Sequence, residues 1–267
     1  MTGANTGIGL ATATGLAERG GRVVLACRDL AKAAAARDAI ASATGSEALD
    51  LLTLDLADLD AVRETVAEIE RLDLPVDVLI ANAGLAGQRG ETAQGFELAF
   101  GVNHLGHFLL TTLLLPRLRT RTDARVVLVS SDSHYQVKAI DWDEVEGPTR
   151  SITGLGEYAT SKFCNVLFGQ ELARRVPADE LGVHVVHPGV IASDVWRRIP
   201  WPVRPIMTRF MRSTTQGAAT SLFAATDPSL IGISGRYYAD CAEKEPNRAA
   251  TPELAGELWT RSEGWVR

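Results

Sequence analysis

The sequence predicts one α/β domain built on a doubly wound parallel sheet, and three observations predict it. Short runs of β-branched and other apolar residues alternate with longer segments of helical periodicity, which is the rhythm of βα units. Several of the short runs are apolar at almost every position, as in strands that helices cover on both faces. A glycine-rich turn opens the chain and leads directly into a helix, as in folds that bind dinucleotides.

The individual elements follow from the same periodicities, taken in chain order. We expect six strands, at Arg22–Ala26, Leu49–Leu54, Val76–Ala81, Arg125–Val129, Val183–His187 and Gly235–Ala239. We expect helices at Leu10–Glu18, Ala31–Ala43, Leu59–Leu72, Gly95–Leu118, Glu157–Val176 and Ser213–Ala225.

No internal repeat or low-complexity linker interrupts this series, so we expect a single domain over residues 1–267. Two stretches depart from the rhythm. Residues 132–156 lack clear periodicity and predict a long surface excursion. Residues 190–212 combine Trp196, Trp201 and Phe210 with five arginines and three prolines, which indicates a lid over an apolar cavity. Ordinary core packing is the alternative, and the prolines disfavour a continuous membrane-binding helix there.

Composition excludes several classes of protein. A formal net charge of -6 lacks the basic excess that binding to nucleic acid requires. Cys27, Cys164 and Cys241 are odd in number and never form a CxxC, which favours reduced thiols and a cytoplasmic location over disulfides or zinc. We find no apolar run of roughly 18 residues and no signal peptide, so we expect no membrane span.

The glycine-rich turn spans Thr2 to Gly9. Glycines at these positions permit a tight turn and let the backbone approach a pyrophosphate, whose charge then lies at the N-terminus of the following helix. We expect a Rossmann-type dinucleotide site here, although a plain glycine-rich turn is the alternative. The expected contacts are Gly3, Asn5, Thr6, Gly7, Ile8 and Gly9.

The end of the next predicted strand indicates which dinucleotide is bound. An acidic residue at position 27 would bind the ribose hydroxyls of NAD, whereas this chain has a neutral Cys27 followed by Arg28. The guanidinium fork of arginine suits a 2′-phosphate, so the sequence favours NADP(H). Alternatively, Arg28 is a solvated strand-end residue and Asp29 caps the next helix.

The start of the glycine turn raises a question about the first strand. The turn opens at Thr2 with only Met1 before it, whereas a dinucleotide fold feeds this turn from a central strand. We expect that strand to be absent from these residues, with roughly ten or more upstream residues supplying a Val/Ile strand that runs into Thr2. Its absence would leave buried backbone groups unpaired at about 1 to 3 kcal/mol each, so the short chain should express poorly and bind NADPH weakly.

Several strand-end motifs, taken together, resemble the short-chain dehydrogenase/reductase family over nearly the whole chain. They include the glycine turn, Asn82-Ala83-Gly84, Ser131, the segment from Tyr158 to Lys162, and His187-Pro188-Gly189. Within the family, residues 26–29, 101–108 and 237–247 look most like the retinol-dehydrogenase-like branch. The resemblance implies an oxidoreductase that transfers a hydride between NADP(H) and a carbonyl or alcohol.

The resemblance also implies a catalytic set. Tyr158 and Lys162 are four residues apart on a predicted helix, so both project from one face. Tyr158 would act as the general acid or base, with Lys162 lowering its pKa and holding the nicotinamide ribose. Ser131 would hydrogen-bond the substrate oxygen, with Ser133 as a nearby competitor and Ser130 facing the scaffold. Asn103 would support a water linked to Lys162, or instead satisfy backbone groups at a helix kink.

The remaining expected cofactor contacts follow strand ends, where an α/β sheet presents ligands. Asp55 would accept a hydrogen bond from the adenine amino group, and a turn alone could also explain it. The full set is Asp55, Leu56, Asn82, Ala83, Gly84, Pro188 and Gly189.

His104 and His107 share one helix face, three residues apart. This spacing suggests a metal pair, but the pattern offers no third ligand nearby. We therefore expect packing histidines and no metal site. His134 and Tyr135 follow the catalytic strand, and the sequence does not fix their direction.

Two functions of different classes remain open. The first is an enzyme that acts on a small lipophilic aldehyde, ketone or alcohol, as the apolar lid candidate favours. The second is a catalytically silent NADP(H) sensor that binds a partner protein, which the intact Ser131, Tyr158 and Lys162 disfavour. A homodimer remains possible, and the substrate and direction are left open.

Overall fold

The structure is a computed structural model that describes residues 1–189 and 213–267. The lid candidate, residues 190–212, lies outside the described residues. The strands are β1 (Val23–Cys27), β2 (Leu49–Thr53), β3 (Val78–Ala81), β4 (Arg125–Val129), β5 (Gly182–His187), β6 (Arg236–Ala239) and β7 (Ala242–Lys244). The α-helices are α1 (Gly7–Glu18), α2 (Leu30–Thr44), α3 (Leu59–Arg71), α4 (Leu98–Phe100), α5 (Gly106–Leu118), α6 (Leu155–Arg175), α7 (Thr214–Thr226) and α8 (Pro252–Trp265).

The helices begin where the sequence supplies caps. Asp29 accepts a hydrogen bond from the N–H of Lys32 at the start of α2, so it plays the capping role that the sequence allowed. Ser213 and Gln216 form a capping box at the start of α7. Thr251 caps α8, and Pro252 occupies its first turn, where a missing N–H costs nothing.

The strands form two sheets. β1 pairs with β2 in parallel, and a second sheet has the order β3-β4-β5-β6-β7. β3 to β6 are parallel, whereas β7 runs antiparallel to β6. The six predicted strands are therefore confirmed, and β7 and α8 were not predicted. Asp240 and Cys241 join β6 to β7 with positive φ at both positions, a two-residue hairpin turn that the sequence does not signal with glycine.

Helices cover the larger sheet on both faces, as predicted from its apolar strands. Side chains alternate along β4, so that Val126 and Leu128 face one core cluster while Val127 and Val129 face another. Helices α3, α5, α6 and α8 contribute to the first cluster, and α7 contributes to the second. Every position of β4 and β5 is buried.

Residues 132–156 form the surface excursion that the sequence predicted, since most of their positions are exposed, but the segment is anchored in the core at several points. Val137, Ile140 and Val145 of this segment are buried in the main core cluster. The carbonyl of Val145 accepts a hydrogen bond from the N–H of Glu97, which ties the segment to the start of α4. The sequence did not indicate these anchors, because the apolar residues are too irregularly spaced to show a periodicity.

The long apolar helix beside the sheet begins at Leu98 rather than at Gly95. It consists of α4, a π-helical stretch at Gly101–Leu105, and α5. By length and composition alone Leu98–Leu118 could cross a membrane, yet 78% of its most apolar window is buried inside the protein. Burial in the core therefore accounts for its apolar composition.

Among residues 1–189 and 213–267, only the first residues of the chain lie between β1 and β3, and we call this space the strand gap. Thr2 forms a parallel bridge with Ala26 of β1, and its N–H donates to the carbonyl of Ile80 in β3 at 3.0 Å. Beyond Met1 the space continues as a cavity of about 300 Å³. The glycine turn therefore begins between β1 and β3, two strands that do not pair with each other.

Candidate active site

The carboxyl ends of β3, β4 and β5 meet at one edge of the sheet, and α6 carries Tyr158 and Lys162 past this edge. The Lys162 Nζ donates to the carbonyl of Val129, the last residue of β4, at 2.9 Å, and lies 5.8 Å from the centre of the Tyr158 ring. A β-carbon at Gly84, after β3, would lie 3.2 Å from this Nζ. The structure therefore brings together predicted residues that are far apart in the sequence.

Tyr158 faces two hydroxyl groups beyond the end of β4. Burial raises the pKa of its phenol, while the hydroxyls of Ser131 and Ser133 both favour the ionised form and offset part of that rise. The two serine hydroxyls thus favour the phenolate in addition to the predicted effect of Lys162, whose ammonium donates to the carbonyl of Val129.

Ser131 and Ser133 differ in how they are held. Ser131 Oγ accepts a hydrogen bond from the N–H of Ser133 at 3.3 Å, which fixes it as the cap of a short 3₁₀ helix, Asp132–Gln136. Ser133 Oγ is buried and makes no hydrogen bond of ordinary geometry with the described residues. Ser130 Oγ donates to the carbonyl of Lys162 at 2.7 Å, so it contacts the scaffold, in line with the prediction.

Lys162 is buried, and its surroundings lower the pKa of its ammonium to about 8 because burial disfavours the charge. At neutral pH the group is still mainly protonated. A fixed positive charge therefore lies at the edge of the sheet beside the Tyr158 ring.

Asn103 lies in the π-helical stretch and uses its side chain on neighbouring groups. Its Nδ2 donates to the carbonyl of Leu85 at 3.0 Å and to Ser161 Oγ at 2.9 Å, while its Oδ1 accepts from the N–H of Leu85 at 2.9 Å. This is the backbone-satisfying role that the sequence allowed. A β-carbon at Gly84 would lie 3.2 Å from Asn103 Oδ1 and from Lys162 Nζ alike, so Asn103 and Lys162 flank the same backbone. The water-linked role stays a prediction.

The glycine turn has the shape that a phosphate group needs. Gly3 and Gly7 have φ of +61° and +56°, in the left-handed region that favours glycine. A β-carbon at Gly9 would lie 2.0 Å from the carbonyl oxygen of Gly3, whereas one at Gly7 would meet open space. The first turn of α1 contains no acidic residue. An anion could therefore approach the N-terminus of α1 at Gly7, and the residues fit a pyrophosphate.

Thr2 connects this turn to the strand that follows. Thr2 Oγ1 accepts hydrogen bonds from the N–H groups of Asn82 and Ala83 at 3.0 and 2.9 Å, and lies 2.9 Å from His107 Nε2. The Asn82 Nδ2 donates to the carbonyls of Thr2 and Gly3. Asn82 and Ala83 thus position the glycine turn. Sequence reasoning did not select Thr2, although its place beside the turn was visible.

The expected adenosine end lies at the carboxyl ends of β1 and β2. Cys27 is buried, with its thiol toward the N–H groups of the glycine turn, and burial raises its pKa. Arg28 is exposed. Asp55 Oδ1 accepts from the N–H of Ala57, and Leu56 is buried against Gly106. The turn interpretation of Asp55 is therefore realised, and its adenine contact stays a prediction.

The two histidines of the long helix are packing residues. Both are fully enclosed, and burial lowers the pKa of His104 to about 3 and that of His107 to about 4. His104 stacks among Phe100, Phe108 and Phe168. Within residues 1–189 and 213–267, no group of three His, Cys, Asp or Glu residues could hold a metal ion.

His134 and Tyr135 form the wall beside the serines. His134 Nδ1 lies 2.6 Å from the Ser131 carbonyl, and its Nε2 accepts a hydrogen bond from the N–H of Asn247. Asn247 Nδ2 also donates to the carbonyls of His134 and Val137. Tyr135 is exposed, and its hydroxyl donates to the carbonyl of Glu245. The segment after β7 therefore supports the edge of the sheet that carries Ser131, which sequence reasoning missed.

The end of β5 lies at the same edge of the sheet, on the opposite side of β4 from β3. His187 Nε2 lies 3.0 Å from Asp132 Oδ2, next to Ser131. Pro188 and Gly189, which were expected to border the cofactor, follow directly, and Gly189 has φ of +88°.

Comparison with known proteins decides the family. Residues 1–142 match the short chain dehydrogenase family. Retinol dehydrogenase 14 of Mus musculus is 39% identical over 284 residues, a match that covers 100% of this chain and 84% of that protein. The chain belongs to the short-chain dehydrogenase family. The predicted placement in the retinol-dehydrogenase-like branch is also confirmed.

Similar solved structures agree with the fold. An uncharacterised protein from Mycobacterium paratuberculosis is 32% identical, with a TM-score of 0.78 and coverage of 99% of this chain and 91% of that one. A short-chain dehydrogenase from Shigella flexneri, solved in complex with NADP, is 23% identical with a TM-score of 0.71, over 90% of this chain and 95% of that one. The chain is thus an oxidoreductase on a Rossmann-type fold.

Proposed function

We propose that this short-chain dehydrogenase transfers a hydride between NADP(H) and a lipophilic carbonyl or alcohol, with Tyr158 as the general acid or base. The observation that carries the proposal is the cluster of Tyr158, Ser131 and Lys162 at the edge where β3, β4 and β5 end. A phenol, a hydroxyl and an ammonium in one place can protonate, orient and stabilise a carbonyl oxygen.

Each group has a definite task in carbonyl reduction. The Tyr158 hydroxyl gives its proton to the substrate oxygen, and the Ser131 hydroxyl donates a hydrogen bond to the same oxygen. Lys162 stabilises the phenolate that this leaves, because its ammonium is charged at neutral pH and lies 5.8 Å from the ring. The nicotinamide, when bound, supplies the hydride. Asn103 fixes the backbone of Leu85 beside Gly84 and Lys162.

The protonation state of Tyr158 suits the role of an acid toward a carbonyl oxygen. Burial raises the pKa of the phenol, so the hydroxyl keeps its proton at neutral pH and is ready to act as an acid. Alcohol oxidation would require the phenolate first.

NADP(H) is favoured over NAD(H) by the end of β1. Position 27 carries a buried thiol rather than a carboxylate, and Arg28 beside it is exposed and forms no ion pair within the described residues. Its guanidinium is available for a 2′-phosphate. The Shigella flexneri relative bound to NADP is consistent with this choice.

A lipophilic substrate is favoured by exposed apolar side chains near Tyr158. Leu155 lies one helical turn before Tyr158 and is 46% exposed, and the neighbouring Ile152 is 88% exposed. Tyr135 adds an exposed aromatic ring beyond β4. Relatives named retinol dehydrogenases point to the same class of substrate.

The test is a screen of NADPH consumption with retinoids, steroids, fatty aldehydes and quinones, with Tyr158→Phe as the matched control. We expect turnover with at least one apolar carbonyl and a loss of about a hundredfold or more in Tyr158→Phe, with NADPH binding nearly unchanged. Near-normal turnover in the variant would remove Tyr158 from the mechanism. Tight NADPH binding without turnover of any carbonyl would favour a silent sensor.

A further inference from the structure

The backbone of Ser131 is held from two directions. On the side of the sheet, the N–H of the preceding Ser130 donates to the carbonyl of Val186 at 2.8 Å, and the Ser130 hydroxyl donates to α6. On the other side, the carbonyl of Ser131 accepts from the backbone N–H of His134 at 3.0 Å, and the ring nitrogen Nδ1 of His134 lies 2.6 Å from the same oxygen. Since the carbonyl and the hydroxyl belong to one residue, His134 influences where the Ser131 hydroxyl lies.

The surroundings of the His134 ring select one tautomer. A carbonyl oxygen can only accept a hydrogen bond, so Nδ1, which faces the Ser131 carbonyl, carries the proton. A peptide N–H can only donate, so Nε2, 3.2 Å from the backbone nitrogen of Asn247, offers its lone pair. Only the neutral Nδ1–H imidazole satisfies both contacts. Asn247 therefore determines which ring nitrogen can donate to Ser131.

The imidazole of His134 is neutral at pH 7. The residue is fully buried, and burial lowers its pKa from the ordinary value. Asp132 on the same 3₁₀ helix favours the charged form, whereas His187 of β5 opposes it. The rings of Tyr135 and Tyr237 pack against the imidazole with centroids at 3.9 and 5.0 Å, and burial raises the pKa of both phenols, so neither carries charge. A second proton, on Nε2, would meet a backbone N–H.

Asn247 is itself fixed by both polar atoms of its side chain. Its Nδ2 donates to the carbonyls of His134 and Val137 at 2.7 and 2.6 Å, and its Oδ1 accepts from the N–H of Ala249 at 3.0 Å. These bonds join the segment after β7 to the 3₁₀ helix that Ser131 caps. They hold the backbone N–H of Asn247 in place against Nε2.

We propose that His134 is a positioning residue for the reaction, an inference that rests on the function proposed above. As the Nδ1–H tautomer selected by Asn247, it holds the Ser131 carbonyl and thereby keeps the Ser131 hydroxyl opposite Tyr158 and the substrate oxygen. His134 does not touch the reacting atoms and acts through Ser131. Because a misplacement of about 1 Å can cost roughly a hundredfold in rate, the loss of this hydrogen bond should lower kcat and leave cofactor binding unchanged.

Two conservative variants separate the two ring nitrogens. The side-chain nitrogen of asparagine stands as many bonds from Cα as Nδ1 does, so His134→Asn keeps a donor for the Ser131 carbonyl but has no acceptor for the Asn247 N–H. The side-chain oxygen of glutamine stands as many bonds from Cα as Nε2 does, so His134→Gln keeps the acceptor and loses the donor. We expect kcat to stay within about threefold in His134→Asn and to fall roughly ten- to a hundredfold in His134→Gln, with the affinity for NADPH unchanged in both.

His184→Asn is the matched control for stability. His184 is also fully buried, but it lies in the middle of β5 and its ring nitrogens form no hydrogen bond among the described residues. We expect this variant to lower Tm without changing kcat. If kcat in His134→Gln equals or exceeds that in His134→Asn, or if kcat simply follows Tm across the three variants, the proposal is wrong.

Imidazole ¹⁵N resonances test the tautomer without any turnover. The chain has five histidines, and the signals that disappear in His134→Asn belong to His134. In the wild-type protein with NADPH at pH 7 we expect a protonated Nδ1 and an unprotonated Nε2, and the opposite tautomer or a charged ring would overturn the assignment. A wild-type protein that shows the expected tautomer but reduces no carbonyl would instead refute the proposed function, and with it this role of His134.

Discussion

The two sides of the strand gap are held in different ways. On one side, β4 and β5 are paired along both edges and buried at every position, and they position Lys162 and Ser131 through Val129 and Ser130. On the other side, β1 pairs with β2 along one edge and with Met1–Thr2 along the other. The acid–base groups therefore depend on a complete sheet, and the glycine turn depends on a few hydrogen bonds at Thr2. We therefore expect substitutions at the glycine turn to affect cofactor binding more than the acid–base chemistry.

Among the residues that β4 and β5 position, we expect the substitution of Ser131 to have the largest effect on kcat. Ser131→Ala removes the hydroxyl that we assign to the substrate oxygen, so kcat should fall by about a hundredfold or more with little change in Tm. Ser133→Ala is the matched control, because its buried hydroxyl also favours the Tyr158 phenolate but has no fixed partner among the described residues. Steady-state kinetics on both variants decides the assignment. A larger loss in Ser133→Ala would exchange the two roles.

On the cofactor side, the expected effect at Arg28 is smaller and selective. Arg28→Ala should weaken NADPH binding by roughly ten- to a hundredfold, because a charge-assisted contact to phosphate is worth about 1.5 to 3 kcal/mol. NADH binding should hardly change. Fluorescence titration with both cofactors measures this, and Arg37→Ala on the neighbouring helix provides a charge-matched control. Equal losses for NADPH and NADH would show that Arg28 does not recognise the 2′-phosphate.

Thr2 connects the glycine turn to the end of β3. We therefore expect its substitution to weaken cofactor binding without changing the chemical step. Thr2→Val keeps the shape but leaves the N–H groups of Asn82 and Ala83 without their acceptor, at about 1 to 3 kcal/mol each. We expect a lower Tm and a higher KM for the cofactor, with kcat at saturation retained. Thr2→Ser, which keeps the hydroxyl, should restore both. A fall in kcat at saturating cofactor would show that the regions are coupled.

The effect expected to be most limited in range is a pH dependence of stability at His107, whose Nε2 lies 2.9 Å from the Thr2 hydroxyl. The pKa of His107 is lowered from 6.5 to about 4, so the unfolded chain binds this proton more readily than the folded chain. Stability is full above pH 6.5 and falls as the pH decreases toward 4, by about 2 kcal/mol at pH 5 from this group. Denaturant unfolding at pH 7 and pH 5 should show a smaller difference in His107→Gln. An unchanged difference would assign the acid sensitivity to other groups.

The sequence was sufficient to predict the features that depend on hydrophobic periodicity and on the residues at strand ends. The apolar runs of β4 and β5 and the four-residue spacing of Tyr158 and Lys162 leave little freedom, so both the sheet and the proximity of those two side chains were correctly predicted. Contacts that depend on tertiary packing were missed. Asn247 supports His134 from 113 positions away, and no local pattern indicates such a contact.

Expectations about ionisation were incomplete for a related reason. The spacing of Tyr158 and Lys162 indicates that they are neighbours, but it does not show that the ammonium bonds to Val129 or that two serine hydroxyls face the phenol. A pKa depends on burial and on the direction of each dipole, which only the folded structure supplies.

The π-helical stretch Gly101–Leu105 has a consequence for how this protein can change by mutation. A π-turn holds one residue more than an α-turn, and each α-helical residue turns the chain by about 100°. Deleting a single residue from this stretch would let an ordinary α-helix form and rotate Asn103 away from Leu85 and Ser161, while the apolar side chains of α5 kept their places. The loss of one codon would thus break the hydrogen bonds of Asn103 with Leu85 and Ser161, although none of these three residues is substituted.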